Sequence, residues 1–459
     1  MSTRSRFVLL APFLTLIGCG SGSETGVTEQ ITWHEHVAPL VASHCSSCHE
    51  AGGSGPFALD NYESAKGLAG AMIAAVEAGT MPPWSAHDTE NCHPLRPWKD
   101  DLRLSAEEIA NLRTWVDTGT LEGDPAKAAP LPERPELQLK SPTKSLPFAA
   151  GYTVDGASDD FQCFVLDPGN TQRVWLTAAQ VRPGNTKVDH HALVYLDSLG
   201  STAALADQDG RFPCFGLPDA KGFLFSAWAP GAVPTRMPET SGMPMDPGAK
   251  ILVQMHYHPT GQGPEFDQST IDLEWTTTPP VWEAALALVG NNSKLRSDGT
   301  GLQPGPNDTN GIAEFRIPAN ATGHTETMFY RQEIPLALPI FGVGTHMHYV
   351  GTDMQIQFTS HAEETNECLV QTPNWNFNWQ RLYAFDTPIA DYPVIRPGDE
   401  LTMRCTYDNS LKNRFVGQAL EQQGLKQPID VVLGEQTLNE MCLGVFGILA
   451  PPGALDQIF

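Results

Sequence analysis

The spacing of apolar positions changes character along the chain. Residues 7–17 are a nearly continuous apolar run behind Arg4 and Arg6, and it ends at Gly18-Cys19 before a Gly/Ser segment, Gly20-Ser21-Gly22-Ser23. Val37, Leu40 and Val41 then recur at helical spacing, and residues 69–76 form another apolar helical stretch. Ser105 and Glu108 have the spacing of a capping box, and behind them Ile109, Leu112, Trp115 and Val116 share one helical face before Gly119 stops the pattern. Residues 126–150 have little periodicity and carry Pro130, Pro132, Pro135 and Pro142, which reads as a linker. From Phe161 onward the pattern is short β-branched and aromatic runs between Pro/Gly turns, as at 172–176, 192–196, 250–256 and 354–358. Thr278-Pro279-Pro280 is a natural break in this region. The expected fold is multidomain: a small all-α domain at 27–125, a linker at 126–150, and two all-β antiparallel sandwich domains, jelly-roll-like, at 151–280 and 281–459.

Composition narrows the function classes. The chain has 459 residues, 28 Lys+Arg against 53 Asp+Glu, and a net charge of −25. Such a surface repels nucleic acid, whose affinity comes mainly from cations on phosphates. With 41% hydrophobic residues the chain can build real cores, so global disorder is excluded. Nine cysteines and fourteen histidines carry the remaining chemistry.

Residues 1–18 read as an export signal, too short for a membrane span. The end of the run resembles the bacterial lipobox, which implies lipidation of Cys19, a tether at 19–26, and an exported protein held to the membrane only by its lipid. Export also permits disulfides. His44-Cys45-Ser46-Ser47-Cys48-His49 contains Cys-x-x-Cys-His, the pattern for covalent haem c attachment through Cys45 and Cys48, with His49 as proximal iron ligand. No second Cys-x-x-Cys is present to complete a zinc site. With its flanking helices, 27–125 resembles class I cytochromes c. The resemblance implies a distal thioether, for which Met81 in Thr80-Met81-Pro82-Pro83-Trp84 is the candidate. Met72 reads as core, and His87 and His93 are the alternative ligands.

Six histidines fall in three tight groups: His190-His191, then His256 with His258, then His346 with His348. Residues i and i+2 of a strand share a face, so His346 and His348 can chelate one ion, whereas an adjacent pair can converge only at a strand end. Imidazole suits Cu, Zn and Fe alike. Asp189-His190-His191-Ala192-Leu193-Val194-Tyr195, Val253-Gln254-Met255-His256-Tyr257, Thr345-His346-Met347-His348-Tyr349-Val350-Gly351 and Glu440-Met441-Cys442 together resemble, in order and spacing, the copper type II ascorbate-dependent monooxygenases. These are the peptidylglycine hydroxylating and dopamine β-monooxygenases. The resemblance implies two copper ions. His190, His191 and His256 would hold an electron-transfer copper, and His346, His348 and Met441 a catalytic one. His258 matches no family ligand, and His324 and His361 have no assigned role. The resemblance also implies disulfides Cys163–Cys214 and Cys405–Cys442. Cys92 and Cys368 are left over, to pair with each other or stay free.

The chain departs from the peptidylglycine enzymes where they hold a substrate carboxylate. The position two before His346 is Gly344, and those two and four after Met441 are Leu443 and Val445. An apolar or neutral small organic substrate is therefore expected, with O2 as co-substrate. The cis haem implies a relay from an external electron donor, a redox protein or reductant, through haem and one copper to the catalytic copper, supporting hydroxylation of a C–H bond. The competing readings are a non-catalytic tethered electron carrier or copper-binding protein, and a zinc hydrolase. The absence of His-Glu-x-x-His weighs against the hydrolase.

Overall fold

The computed structural model describes residues 30–458, apart from 52, 54, 133–137, 157–158, 215–221, 230–231, 293, 309–311, 435 and 437. The export, lipidation and tether readings, with Cys19, lie outside the described residues. Among those described, no helix is long and apolar enough to cross a membrane.

Strands dominate, and most of the helix lies near the N-terminus in α1 (Ala38–His44), α2 (Tyr62–Glu77) and α3 (Ala106–Asp117). The expected capping box forms at α3: the Ser105 hydroxyl accepts from the Glu108 N–H, and the Glu108 carboxylate accepts from the Ser105 N–H. Asn61 caps α2 by accepting from the Ser64 N–H. Leu112 and Trp115 on α3 pack with Trp33, Val37, Leu40, Val41 and Met72 in a core of their own. Burying each such side chain stabilises this unit by roughly 1.5–3 kcal/mol.

The β body is built around two sets of strands. In the first, β1 (Asp160–Leu166), β2 (Asp189–Asp197) and β3 (Lys250–Tyr257) are antiparallel with β3 in the middle. The second contains β4 (Trp282–Gly290), β5 (Leu338–His346), β6 (Leu382–Ala384) and β7 (Leu443–Ala450). There β7 lies between β4 and β5, and β6 pairs with β5. A separate five-stranded sheet includes Gly351–Ser360 and Glu400–Asp408. The strand patterns at 192–196, 250–256 and 354–358 fall inside observed strands, while the run at 172–176 begins its strand only at Val174.

Three features differ from the sequence pattern. The Pro279-Pro280 turn does not interrupt the hydrogen bonding. β4 also pairs with Gly222–Trp228, which pairs with β2, so one 15-stranded sheet carries strands from both sides of the turn. Among the described strands, one pairing is parallel, β4 with Ser241–Met245. A nine-residue helix, Arg414–Gln422, interrupts the β pattern.

The segment after α2 leaves the helical unit and packs into the β body. Trp84 and Trp98 belong to its core. The Lys99 N–H donates to the Ala384 carbonyl at 2.8 Å, the Asp386 N–H to the Pro97 carbonyl at 2.9 Å, and the His87 N–H to the Gln371 carbonyl at 3.1 Å. A disulfide, Cys92–Cys368, closes the same interface.

Candidate metal centres

The first centre forms where β2 and β3 end side by side. His256 on β3 lies opposite His191 on β2, but Tyr257 lies opposite Asp189, so His190 is an extra residue in the ladder. Such a bulge re-aims a side chain. That is how adjacent histidines, which would otherwise point to opposite faces, come together. The His190 and His191 Nδ1 atoms are 3.1 Å apart, and the His256 Nδ1 is 3.2 Å from the first and 3.3 Å from the second. Burial, then the neighbouring His256, pushes His190 down to about 4 and His191 well below its ordinary value. The His190 and His191 imidazoles are thus held neutral, the form that ligates metal. Three imidazoles with converging nitrogens cannot all satisfy one another, and a borderline metal ion fits them.

Asp159 stands behind this cluster. Its carboxylate lies 3.0 Å from the His256 Nε2 and 2.7 Å from the His258 Nδ1. Burial pushes the Asp159 pKa up, but the two histidines outweigh it and hold the group below the usual range. A carboxylate on the outer nitrogen orients a ligand histidine and fixes its tautomer, leaving Nδ1 to face the centre. His258 serves this carboxylate and is not part of the converging set.

The second centre lies at the end of β5. His346 is the last residue of that strand, and His348 sits just beyond it. The two rings are nearly perpendicular, with centroids 5.3 Å apart. The His346 Nδ1 lies 2.6 Å from the Gln380 side-chain oxygen, and the His348 Nδ1 lies 3.0 Å from the Asn439 carbonyl. Both acceptors select the Nδ1–H tautomer and leave Nε2 as the lone pair. Burial lowers the pKa of His346, and burial followed by His346 brings His348 to about 3. Met441 is buried, two residues before Leu443, which is the β7 partner of His346. The Cys405–Cys442 disulfide anchors the residue next to it.

Glu440 ties these pieces together. Its fully buried carboxylate accepts the backbone N–H groups of His348 at 2.6 Å, Met441 at 2.8 Å, Val350 at 3.1 Å and Gly351 at 3.2 Å. One side chain thus fixes both the His348 turn and the Met441 backbone. Between the centres, the Phe377 ring stands edge-on, 6.2 Å from both His191 and His348. Asp159, Phe377, Gln380, Asn439 and Glu440 carry no individual sequence signal as site residues. Only Glu440 lies in a motif, beside Met441.

The expected anchor positions are filled by packing. Gly344 pairs with Val445 across the β5–β7 ladder. A Cβ on Gly344 would lie 3.1 Å from the Arg381 carbonyl oxygen and 3.3 Å from the Val445 Cβ. A side chain at this position requires these neighbours to give by a few tenths of an ångström.

In the helical unit, Cys45 and Cys48 are the described cysteines outside disulfides. Burial, then Cys48, pushes the Cys45 thiol up to about 12. The His49 Nδ1 lies 3.0 Å from the Phe57 carbonyl, which leaves its Nε2 for a ligand. Met81 is 36% exposed. The His87 Nε2 is engaged by the Trp84 carbonyl at 2.8 Å, and His93 faces solvent beside Asp88. Both spare histidines have acidic partners: His324 pairs with buried Glu326 at 2.7 Å and His361 with Glu400 at 3.2 Å. Cys163–Cys214 joins Cys405–Cys442 and Cys92–Cys368 as the third disulfide.

Comparisons with known proteins bear on the second centre. No curated protein matches the chain. Among solved structures, a Paenibacillus xanthan lyase is similar over 71% of this chain and 28% of its own length, at 10% identity and a TM-score of 0.19. The chain therefore spans little more than a quarter of that lyase. The major capsid protein P2 of bacteriophage PM2 is similar over 67% of this chain and 97% of its own, at 9% identity and a TM-score of 0.20. Likenesses this weak decide nothing about function. Residues 310–445, which include His346, His348 and Met441, match the family model described as copper type II ascorbate-dependent monooxygenase, C-terminal domain.

Proposed function

We propose that this protein is an exported, lipid-anchored copper monooxygenase that hydroxylates a small organic substrate with O2 and draws electrons through its own c-type haem. The observation that carries the reading is the convergence of the His190, His191 and His256 Nδ1 atoms within 3.3 Å, in a chain whose 310–445 segment matches a copper monooxygenase domain. His190, His191 and His256 would hold one copper, and His346, His348 and Met441 the other. Cys45 and Cys48 would carry the haem, with His49 and Met81 on its iron. Bound copper supplies one-electron chemistry and O2 activation, and the haem supplies electron storage.

The chain's own residues set the conditions for that chemistry. Asp159, Gln380 and the Asn439 carbonyl fix imidazole tautomers, so the metal-facing nitrogens are lone pairs before metal arrives. Glu440 holds the His348 turn against the Met441 backbone. A buried thioether at Met441 favours the cuprous state. Gly344 and Val445 leave a wall without a carboxylate anchor, which favours neutral or apolar substrates.

Metal and haem analysis of the full-length exported protein, with O2 uptake, tests the reading. Two coppers and one covalent haem per chain are expected, with copper-dependent O2 consumption in the presence of neutral small aromatics, amines or hydrocarbons. Zinc in place of copper would overturn it. Copper and haem without O2 uptake across that panel would favour the electron carrier.

A further inference from the structure

Phe377 touches both centres. It lies in a run that alternates asparagine with aromatic residues, Asn374-Trp375-Asn376-Phe377-Asn378-Trp379, between the strand Thr365–Thr372 and β6. The Asn378 N–H donates to the Asn376 side-chain oxygen at 3.0 Å, and the Trp379 N–H to the Asn376 carbonyl at 2.9 Å. Asn376 thus starts a tight turn, and Phe377 sits in it.

This turn is fastened to the second centre at three points. The Trp375 Nε1–H donates to the His348 carbonyl at 3.2 Å. The Gln380 amide spans two groups: its NH2 donates to the Phe377 carbonyl at 2.9 Å, while its oxygen accepts from the His346 Nδ1 at 2.6 Å. The Tyr349 ring packs on the Phe377 ring at 4.4 Å between centroids. The Phe377 side chain is therefore held in a fixed relation to His346 and His348. Its ring meets His348 at 6.2 Å and 89°, and it meets His191 of the first centre at 6.2 Å and 76°. Edge-to-face contacts of this kind are a favoured arrangement of aromatic rings. One ring thus stands between a proposed ligand of each centre. Removing it would leave a void there, which packed neighbours fill only in part.

We propose that Phe377 is a positioning residue that sets the separation of the two centres: its ring, carried by the second centre, is the spacer against which His191 of the first centre rests. The assignment deepens the two-copper reading above and rests on it. That separation governs how readily one electron passes from the first centre to the second. It also limits how wide a molecule fits between them.

The test is electron paramagnetic resonance of the full-length protein, oxidised and loaded with copper, as wild type, F377A, F377L and F329A. Copper content and circular dichroism are measured on the same samples. Two cupric ions held close broaden each other's lines and give a half-field signal, and wild type is expected to show this coupling. F377A is expected to change the broadening and the half-field intensity. F377L keeps most of the bulk and is expected to change them less. Phe329 is a half-buried aromatic under the Arg331 guanidinium, 5.6 Å away, on the strand Thr322–Arg331, which carries no proposed ligand. F329A is expected to match wild type. If F377A does not fold, F377V carries the same expectation. Unchanged coupling in copper-loaded F377A overturns the assignment, as does an equal change in F329A. Two bound coppers without coupling in wild type also overturn it, and leave the copper reading standing. Fewer than two coppers in wild type instead remove the two-copper reading, and the Phe377 assignment with it.

Discussion

Glu440→Ala attacks the second centre without touching a proposed ligand. The wild-type carboxylate accepts four backbone N–H groups at 2.6, 2.8, 3.1 and 3.2 Å, and it is fully buried. Each buried N–H left without an acceptor costs about 1–3 kcal/mol. If relaxation re-pairs half of them with water, two remain, and the loss is roughly 2–6 kcal/mol. Glu440→Gln keeps one acceptor oxygen but turns an NH2 group toward the remaining donors, so it is expected to lose about half as much. Urea unfolding of the metal-free protein measures this, with Trp375 as a nearby fluorescent reporter because its Nε1–H donates to the His348 carbonyl at 3.2 Å. In copper titrations, E440Q is expected to weaken the His346 centre and leave the His190 cluster unaffected. An E440A variant within about 0.5 kcal/mol of wild type, less than a single lost N–H acceptor should cost, would refute the account of Glu440 as the clamp of this turn.

Asp159→Asn removes the carboxylate behind His256 and His258, and copper affinity at the first centre should fall roughly 10–100-fold in a chelator competition. An unchanged affinity would show that Asp159 does not orient the ligands. Cys368→Ser opens the bridge to Cys92 and should cost about 2–4 kcal/mol in urea unfolding of the oxidised protein, with no change expected if the packing of Trp84 and Trp98 alone holds the interface. Acid should destabilise the metal-free protein through its histidines. His190 at about 4 and His348 at about 3 stay neutral when folded, whereas in the unfolded chain they bind protons below about pH 6.5. Stability is therefore full above about pH 6.5 and falls as pH drops toward 4, by at most about 1.4 kcal/mol per pH unit per group. A melting temperature that does not vary over this window contradicts the burial of these rings.

Local features of this protein are legible in its sequence because their causes are local. The α3 capping box needs only Ser105 and Glu108 three residues apart, and the helix forms as the spacing predicts. The histidine pairs and the Cys-x-x-Cys-His run are visible for the same reason. The disulfides Cys163–Cys214 and Cys405–Cys442 follow from a family resemblance and not from spacing, and Cys92–Cys368 joins residues 276 apart that only the fold brings together.

What the tertiary structure alone decides is which of these features meet. His190 and His256 are 66 residues apart, and their contact depends on the register of β2 against β3 and on the bulge at His190. Neither is encoded in a short pattern, because a ladder register reflects the balance of packing over a whole sheet. The same holds for Asp159 behind His256, Gln380 behind His346, and Glu440 beneath the His348 turn. It holds also for Arg381, whose guanidinium folding sets over the Trp84 ring. Ligand types are a property of the residues themselves. Their convergence, their tautomers and the partners that hold them arise only when distant strands are paired.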